Sequence, residues 1–281
     1  MNNINDIYSS IEFIEANLKN NITVESVAKY TGYSLYYFSR VFNKNTGHSP
    51  YEYIIRRRLS QAAIDLVKTN NKIIDIAFEY QFNNPETFTR AFYRMFRYLP
   101  SSIKTYNDLA NLVLKDKITI KYLYYINKPN LKINKEVIEK NALSVIGIIT
   151  NNVEHNIIKD QFIYNKINII NPESEYSIYF NPEKYDKGGY ILRAYEVTSL
   201  EKTPSLFIGK KFPHQKYLKC NIKTKVFKLK YIFQYLYQTV LKSTNINEKT
   251  PYAIENNRNF DDKGICSTIL YIPINNQATL K

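Results

Sequence analysis

Cysteine occurs only twice, at Cys220 and Cys266. That is too few for a disulfide framework, and a reducing compartment is the expectation. Two thiols cannot supply the ligands of a structural zinc site, and His48, His155 and His214 are too scattered to complete one. Seven glycines in the whole chain nearly exclude a Gly-rich phosphate loop. No Ser/His/Asp or Cys/His arrangement is present, so no catalytic residues, no metal, no cofactor and no enzymatic activity are expected. No apolar run approaches the ~20 residues of a membrane span. The strongest, residues 269–274, is short and broken by Pro273. The start, Met1-Asn2-Asn3-Ile4-Asn5-Asp6, lacks the basic residues and apolar core of an export signal. The expectation is a cytoplasmic protein with no membrane partner.

The chain has 281 residues, of which 44% are hydrophobic, enough for two ordinary cores. Lysine and arginine number 39 against 25 acidic residues, net +14, which favours polyanionic partners. The excess is uneven. Residues 1–110 hold 13 basic and 10 acidic side chains, net +3; residues 111–281 hold 26 and 15, net +11. If the first part binds DNA, it does so by the placement of charge and not by its bulk.

An internal repeat organises the first hundred residues. Phe38-Ser39-Arg40-Val41-Phe42 recurs as Phe88-Thr89-Arg90-Ala91-Phe92, Pro50 pairs with Pro100, and Ser34 with Asn84, all at an offset of 50. Val27-Ala28 matches Ile76-Ala77 at an offset of 49. Two copies are too few for a solenoid, so a duplicated small module is the reading. Each copy reads as helix, short turn, helix. In the first, Val24, Val27 and Ala28 form a stripe ended by Gly32, and Ser34 caps a helix burying Leu35, Phe38, Val41 and Phe42. In the second, Ile73, Ile76, Ala77 and Tyr80 precede a turn at 81–83. Asn84 then caps a helix with Pro85 at its first position and Phe88, Ala91, Phe92, Met95 and Phe96 inward. This is the outline of a helix-turn-helix, whose second helix enters the major groove.

The outward faces decide what such helices do. Tyr36, Ser39, Arg40 and Asn43 lie at i, i+3, i+4, i+7 opposite the Phe stripe; Glu86, Thr89, Arg90, Tyr93 and Arg97 do the same in the second copy. Arginine can donate two bonds to guanine, and Ser or Thr can bond phosphate or base. A solvated face is the alternative, and two copies with Arg in one register argue against it. Residues 51–69 contain no Pro or Gly and carry a helical stripe of Tyr51, Ile54, Ile55, Leu59, Ala62, Ala63 and Leu66. Such a helix spans roughly 28 Å at ~1.5 Å per residue, close to the ~34 Å turn of DNA. Arg56, Arg57 and Arg58 within it point ~100° apart. One of them can meet phosphate, and solvation or pairing with Glu52 or Asp65 is the alternative for the others.

These residues, with Gly32-Tyr33-Ser34, Gly47-His48-Ser49-Pro50, Tyr53-Ile54, Arg56 to Leu59 and Ile74-Asp75-Ile76-Ala77, resemble the DNA-binding domain of the AraC/XylS family. They are most similar to its MarA/SoxS/Rob branch. The resemblance runs from about Ile7 to Tyr106. It implies an all-α domain of seven helices with two helix-turn-helix units joined by a long helix, and transcriptional control. It also implies double-stranded DNA as partner, with RNA polymerase as a candidate second one. Tyr36, Ser39 and Arg40 match base-reading positions of the first recognition helix, and Pro85, Glu86, Thr89 and Arg90 those of the second. The branch often has amides where this chain has Pro85 and Glu86. Proline cannot read a base edge by hydrogen bond; Glu86 can accept from cytosine or support the helix start. An N-terminal DNA-binding domain is the Rob-like order and implies a sensor after it.

The second part reads as α+β. Residues 101–114 should finish the helical domain, with the boundary near 107–117 and the domains at 1–110 and 111–281. Ile118, Ile120, Tyr122, Tyr124 and Ile126 alternate as a strand would. Further strands are expected at 132–139, 143–150, 177–181, 190–198, 206–211, 217–224, 252–256 and 267–272, and long helices at 154–169 and 227–242. The order suggests a second pseudo-duplication. This part resembles the GyrI-like effector-binding domain, on its element order, on Tyr195-Glu196-Val197, on Tyr217 opening a strand, on Ile254-Glu255, and on the ending at 269–274. The resemblance implies a small-molecule effector, cationic or amphiphilic, met by Glu255 with Tyr195 and Tyr217. A carboxylate amid aromatic rings suits a cation. An exposed strand glutamate is the alternative. From Lys202 to Asn247 lysines recur without an acidic residue. That field can face DNA, an anionic effector or solvent. A hydrolase with Glu255 as general base, a ligand-sequestering module, and a non-specific basic architectural protein are the competing functions.

Overall fold

The computed structural model describes residues 4–129, 131–150, 167–182, 190–201, 203–225, 227–241 and 252–275. Two compact units emerge among the described residues, one formed by residues up to 127 with 238–241, the other by residues 128–237 with 252–275. No helix among the described residues is long and apolar enough to cross a membrane.

The first unit is helical: α1 (Ile4–Ala16), α2 (Val24–Tyr30), α3 (Leu35–Thr46), α4 (Pro50–Lys68), α5 (Ile73–Glu79), α6 (Pro85–Phe96), a 3₁₀ turn at Pro100–Ser102, α7 (Tyr106–Ala110) and α8 (Ile120–Ile126). The duplication is visible in backbone and side chains alike. Ser34 caps α3 by accepting from the Tyr37 amide, and Asn84 caps α6 by accepting from the Thr87 amide at 2.7 Å. Phe38 and Phe42 lie 5.5 Å apart at 54°, and Phe88 and Phe92 lie 5.5 Å apart at 56°. All four rings are fully buried, each contributing about 1.5–3 kcal/mol of transfer free energy. Leu35, expected on the buried face, is 43% exposed, because it is the first helical residue and overhangs the core.

The two inter-helix turns share one hydrogen-bond pattern. The Tyr33 amide donates to Ala28 O, and the Phe82 amide to Ala77 O, the six-to-one bond of a Schellman turn. Each turn needs one residue with positive φ. Gly32 supplies it in the first copy (74°) and Gln81 in the second (64°). The helix ends repeat the substitution: Gly47 closes α3 at 75°, Arg97 closes α6 at 62°. A non-glycine there costs about 1–2 kcal/mol, so the second copy keeps the geometry with less suitable residues. Gln81 recovers part of this through its side-chain amide, which donates to Lys19 O at 2.7 Å.

The strand expected from Ile118 to Ile126 is instead a helix. Thr119 caps it, accepting from the Tyr122 amide at 3.2 Å. Ile118, Tyr122, Leu123 and Tyr125 are buried while Tyr124 is 39% exposed. That is a helical stripe, and a run of apolar residues satisfied both periods. The helix packs within the first unit, so the expected boundary at residue 110 falls inside that unit.

The second unit holds an eight-stranded antiparallel sheet: β1 (Lys132–Lys140), β2 (Leu143–Thr150), β3 (Glu175–Phe180), β4 (Ile191–Glu196), β5 (Ile208–Phe212), β6 (Gln215–Thr224), β7 (Tyr252–Phe260) and β8 (Cys266–Pro273). Each overlaps a segment expected as a strand. The order is β1-β6-β8-β7-β3-β4-β2-β5. Read inward from the two ends, β6-β8-β7 mirrors β2-β4-β3, and β1 and β5 are exchanged between the halves. One face carries Leu143, Tyr176, Ile178, Leu192, Phe212, Tyr217, Tyr252 and Ile254 as a single cluster. The helix expected at 227–242 is α9 (Leu229–Tyr235), continued by a π-turn at Leu236–Val240; Lys242 lies outside the described residues, as does nearly all of the helix expected at 154–169.

Candidate nucleic-acid interface and buried carboxylate

In α3, Tyr36 is 80% exposed, Arg40 and Asn43 are exposed, and Ser39 is half-buried. The four form one outward face, opposite Phe38 and Phe42. The Arg40 guanidinium carbon lies 5.5 Å from the centre of the Tyr37 ring. Tyr37 meets Tyr33 edge-on at 5.0 Å, and the Tyr33 hydroxyl donates to Asp6 at 2.5 Å. A line of contacts from α1 therefore orients an arginine aimed at solvent. Sequence reasoning missed Tyr37, although its place three residues before Arg40 was a usable signal.

In α6, Glu86 and Arg90 are exposed, Tyr93 is 47% exposed and Thr89 is half-buried. Among the described residues neither Arg40 nor Arg90 has an acidic partner. Arg97 departs from the expected row. It is the left-handed cap after the last helical residue and so leaves the helical face.

The arginine triplet of α4 divides by burial. Arg56 pairs with Glu52 at 3.0 Å. Arg57 is 5% exposed, donates from Nε to Glu15 at 2.8 Å, and also donates to Lys115 O. Arg58 donates to Leu18 O at 2.9 Å and Asn20 O at 2.8 Å. Two of the three are therefore internal ties, holding α4 to α1 and its loop. Beside them Lys115 is 3% exposed, with Nζ 2.9 Å from Nε2 of His48. Burial, then the charges of Arg56 and Arg57, push the lysine down to about 7. Burial likewise pulls His48 down to about 4, against its hydrogen bond to Glu52.

In the second unit Glu255, Tyr195 and Tyr217 are all buried, but the sheet separates them. Glu255 faces Ser177, which faces Arg193, two residues from Tyr195, so these share a face. Tyr217 lies opposite Pro273, three residues from Leu270, the partner of Glu255. An odd spacing puts Tyr217 on the other face. There its hydroxyl lies 3.0 Å from that of Tyr252. Glu255 is also not vacant. It accepts from Tyr179 at 2.5 Å, from Thr268 at 2.8 Å and from Arg258 Nε at 2.8 Å. A carboxylate so engaged is poorly disposed to act as a general base. Among the described residues no group of His, Cys, Asp and Glu can hold a metal.

Residues 27–105 match the family described as a helix-turn-helix domain. The chain is 38% identical over 100 residues to the uncharacterized HTH-type transcriptional regulator YbfP of Bacillus subtilis, a match covering 36% of this chain and 34% of YbfP. It is 38% identical over 110 residues to the HTH-type transcriptional activator AarP of Providencia stuartii, covering 38% of this chain and 80% of AarP. A solved AraC-type regulator from Chromobacterium violaceum is 23% identical, covering 36% of this chain and 89% of that one, at a TM-score of 0.35. The match thus spans about a third of the length of YbfP and four fifths of AarP. With the repeated helix-turn-helix geometry and the extent of the match to AarP, the chain belongs to the AraC family of helix-turn-helix proteins.

Proposed function

We propose that the chain is a sequence-specific DNA-binding transcription regulator with an effector-responsive second domain. The observation that carries this reading is the pairing of α3 and α6. Each buries a Phe pair, and each turns an arginine and a hydroxyl residue outward at the same register. In this reading α2–α3 and α5–α6 are two helix-turn-helix units held apart by α4, and they enter successive major grooves on one face of the duplex. Tyr36, Ser39 and Arg40 read bases from the first helix. Thr89, Arg90 and Glu86 do so from the second, while Asn43 and Tyr93 contact the backbone.

Residues 1–110 carry the DNA-binding elements, and the later part acts as a GyrI-like sensor of a small molecule. The effector acts only by binding one conformation better than another. Glu255 with Tyr179 is the centre of that site, and Tyr217, on the opposite face, is not part of it. RNA polymerase is the natural partner of a DNA-bound regulator.

Selection of bound sequences from random duplex DNA tests the reading. It predicts enrichment of two short motifs about one helical turn apart. Recovery of unenriched sequences, with a steep salt dependence alone, contradicts it and favours a non-specific basic protein.

A further inference from the structure

The register of β7 against β8 slips by one residue. Asn256 pairs with Ile269, but Asn259 pairs with Ser267. Three steps on β7 match two on β8, so β7 carries one extra residue, a β-bulge. The consequence is local. In an unbroken strand Glu255 and Arg258, three residues apart, would point to opposite faces. The bulge returns Arg258 to the face of Glu255. Nε donates to Oε1 at 2.8 Å, and Nη2 donates to Oε2 and to the Tyr179 hydroxyl, the latter at 2.9 Å. The guanidinium also lies 4.6 Å from the centre of the Phe227 ring. Tyr179 in turn meets Phe233 edge-on at 5.2 Å. A planar cation thus sits in a cage made of one carboxylate, one phenol and one aromatic face.

Burial is divided unequally within the pair. The Glu255 side chain is 2% exposed and that of Arg258 is 34% exposed. The cation is the solvent-facing member, and the carboxylate lies beneath it. Charge, planarity and ring contact are the features by which a protein recognises an aromatic amidinium or guanidinium molecule.

The geometry points to Arg258 as a built-in ligand: it fills, in the unliganded chain, a cation site on Glu255 that an external planar organic cation occupies only by displacing it. The inference rests on the effector reading for its biological use, but the site itself does not depend on DNA binding. It sets the ligand class as planar monocations small enough to replace a guanidinium. It also requires the intact protein to bind them weakly.

The test uses p-aminobenzamidine, whose fluorescence rises in an apolar site, with the full chain and three variants. Arg258→Ala is expected to bind at least tenfold more tightly than the unaltered protein. Arg258→Ala with Glu255→Gln is expected to lose that gain, and Arg258→Lys to stay near the unaltered affinity. Removing Arg258 leaves a buried carboxylate uncompensated and can prevent folding. The second readout is therefore rescue: benzamidine should raise the melting temperature, or the refolding yield, of Arg258→Ala and leave the double variant unmoved. Equal affinity in the unaltered protein and Arg258→Ala with no selective rescue, or undiminished binding by the double variant, would overturn the inference. Binding by Arg258→Ala without any change in DNA affinity supports the built-in ligand and counts only against effector control.

Discussion

The Arg40 guanidinium carbon rests 5.5 Å from the centre of the Tyr37 ring, one turn back on the same helix. A long, exposed arginine normally loses up to about 2 kcal/mol of rotamer entropy when it is fixed. A cation–π contact at an exposed site is worth about 0.5–1 kcal/mol, so part of that ordering is done before DNA arrives. Arg40→Ala is expected to cost about 1–3 kcal/mol on the selected site and to relax the preference at one base pair. Tyr37→Leu is expected to cost less, with the preference retained. Fluorescence-anisotropy titrations on matched and single-mismatch duplexes check both, and unchanged specificity in Arg40→Ala would contradict the assignment.

The second helix presents Glu86 and Arg90 on its exposed face. A carboxylate near phosphate is repelled, whereas over a cytosine amino group it accepts a hydrogen bond. Glu86→Gln is expected to broaden the preference at one position of the second motif while overall affinity holds or rises. A uniform rise across all sequences, scored by repeating the selection with the variant, would mean that α6 only grips the backbone.

Stability should rise with pH in two stages. His48 and Lys115 both bind protons more weakly when folded, at about 4 against 6.5 and at about 7 against 10.5. Between each pair of values the unfolded chain holds the extra proton, so stability climbs from about pH 4 to 6.5 and again from about pH 7 to 10.5. Each stage has a limiting slope of roughly 1.4 kcal/mol per pH unit. Lys115→Met is expected to flatten the upper stage. Urea unfolding at several pH values between the two limits measures it, and an unaltered slope in the variant would show that Lys115 is not the titrating group.

Arg57 and Glu15 form the buried ion pair that ties α4 to α1. Glu15→Gln leaves the guanidinium in place without its counter-charge and is expected to destabilise the first unit by about 3–5 kcal/mol. Lys19→Ala, which breaks the more exposed pairs to Asp65 and Glu79, should cost about 1 kcal/mol or less. Comparable losses in the two variants, by denaturant titration, would contradict this ranking.

Gln81 sits where the first copy has glycine, with φ of 64°. Gln81→Ala loses the bond to Lys19 O and keeps the strain; Gln81→Gly loses the bond and relieves it. The glycine variant should therefore be the more stable of the two by about 1 kcal/mol. Thermal melts of the pair decide it.

Sequence legibility followed the range of the interaction. The repeat, the caps at Ser34 and Asn84 and the Phe stripes are local features, and each appears in the structure where the spacing puts it. The α8 segment reads as a strand in sequence because Ile118, Ile120, Tyr122, Tyr124 and Ile126 satisfy a period of two as readily as a helical stripe. The fates of Arg57, Arg58 and Lys115 depend on partners up to 67 residues away, which no local pattern contains. Arg258 was invisible for a sharper reason. Its spacing from Glu255 argues against contact unless a bulge is known, and a bulge is a property of two strands. The GyrI-like resemblance puts Tyr217 beside Glu255, and sequence order does not disclose that the two take opposite faces of the sheet.

The central claim is that α3 and α6, held apart by α4, read two segments on one side of a duplex. The direct measurement is affinity for a selected site and for the same site with about five base pairs inserted between its two motifs, half a helical turn. The account predicts that the insertion reduces binding to the level of unrelated DNA. Full affinity on the lengthened site would contradict it.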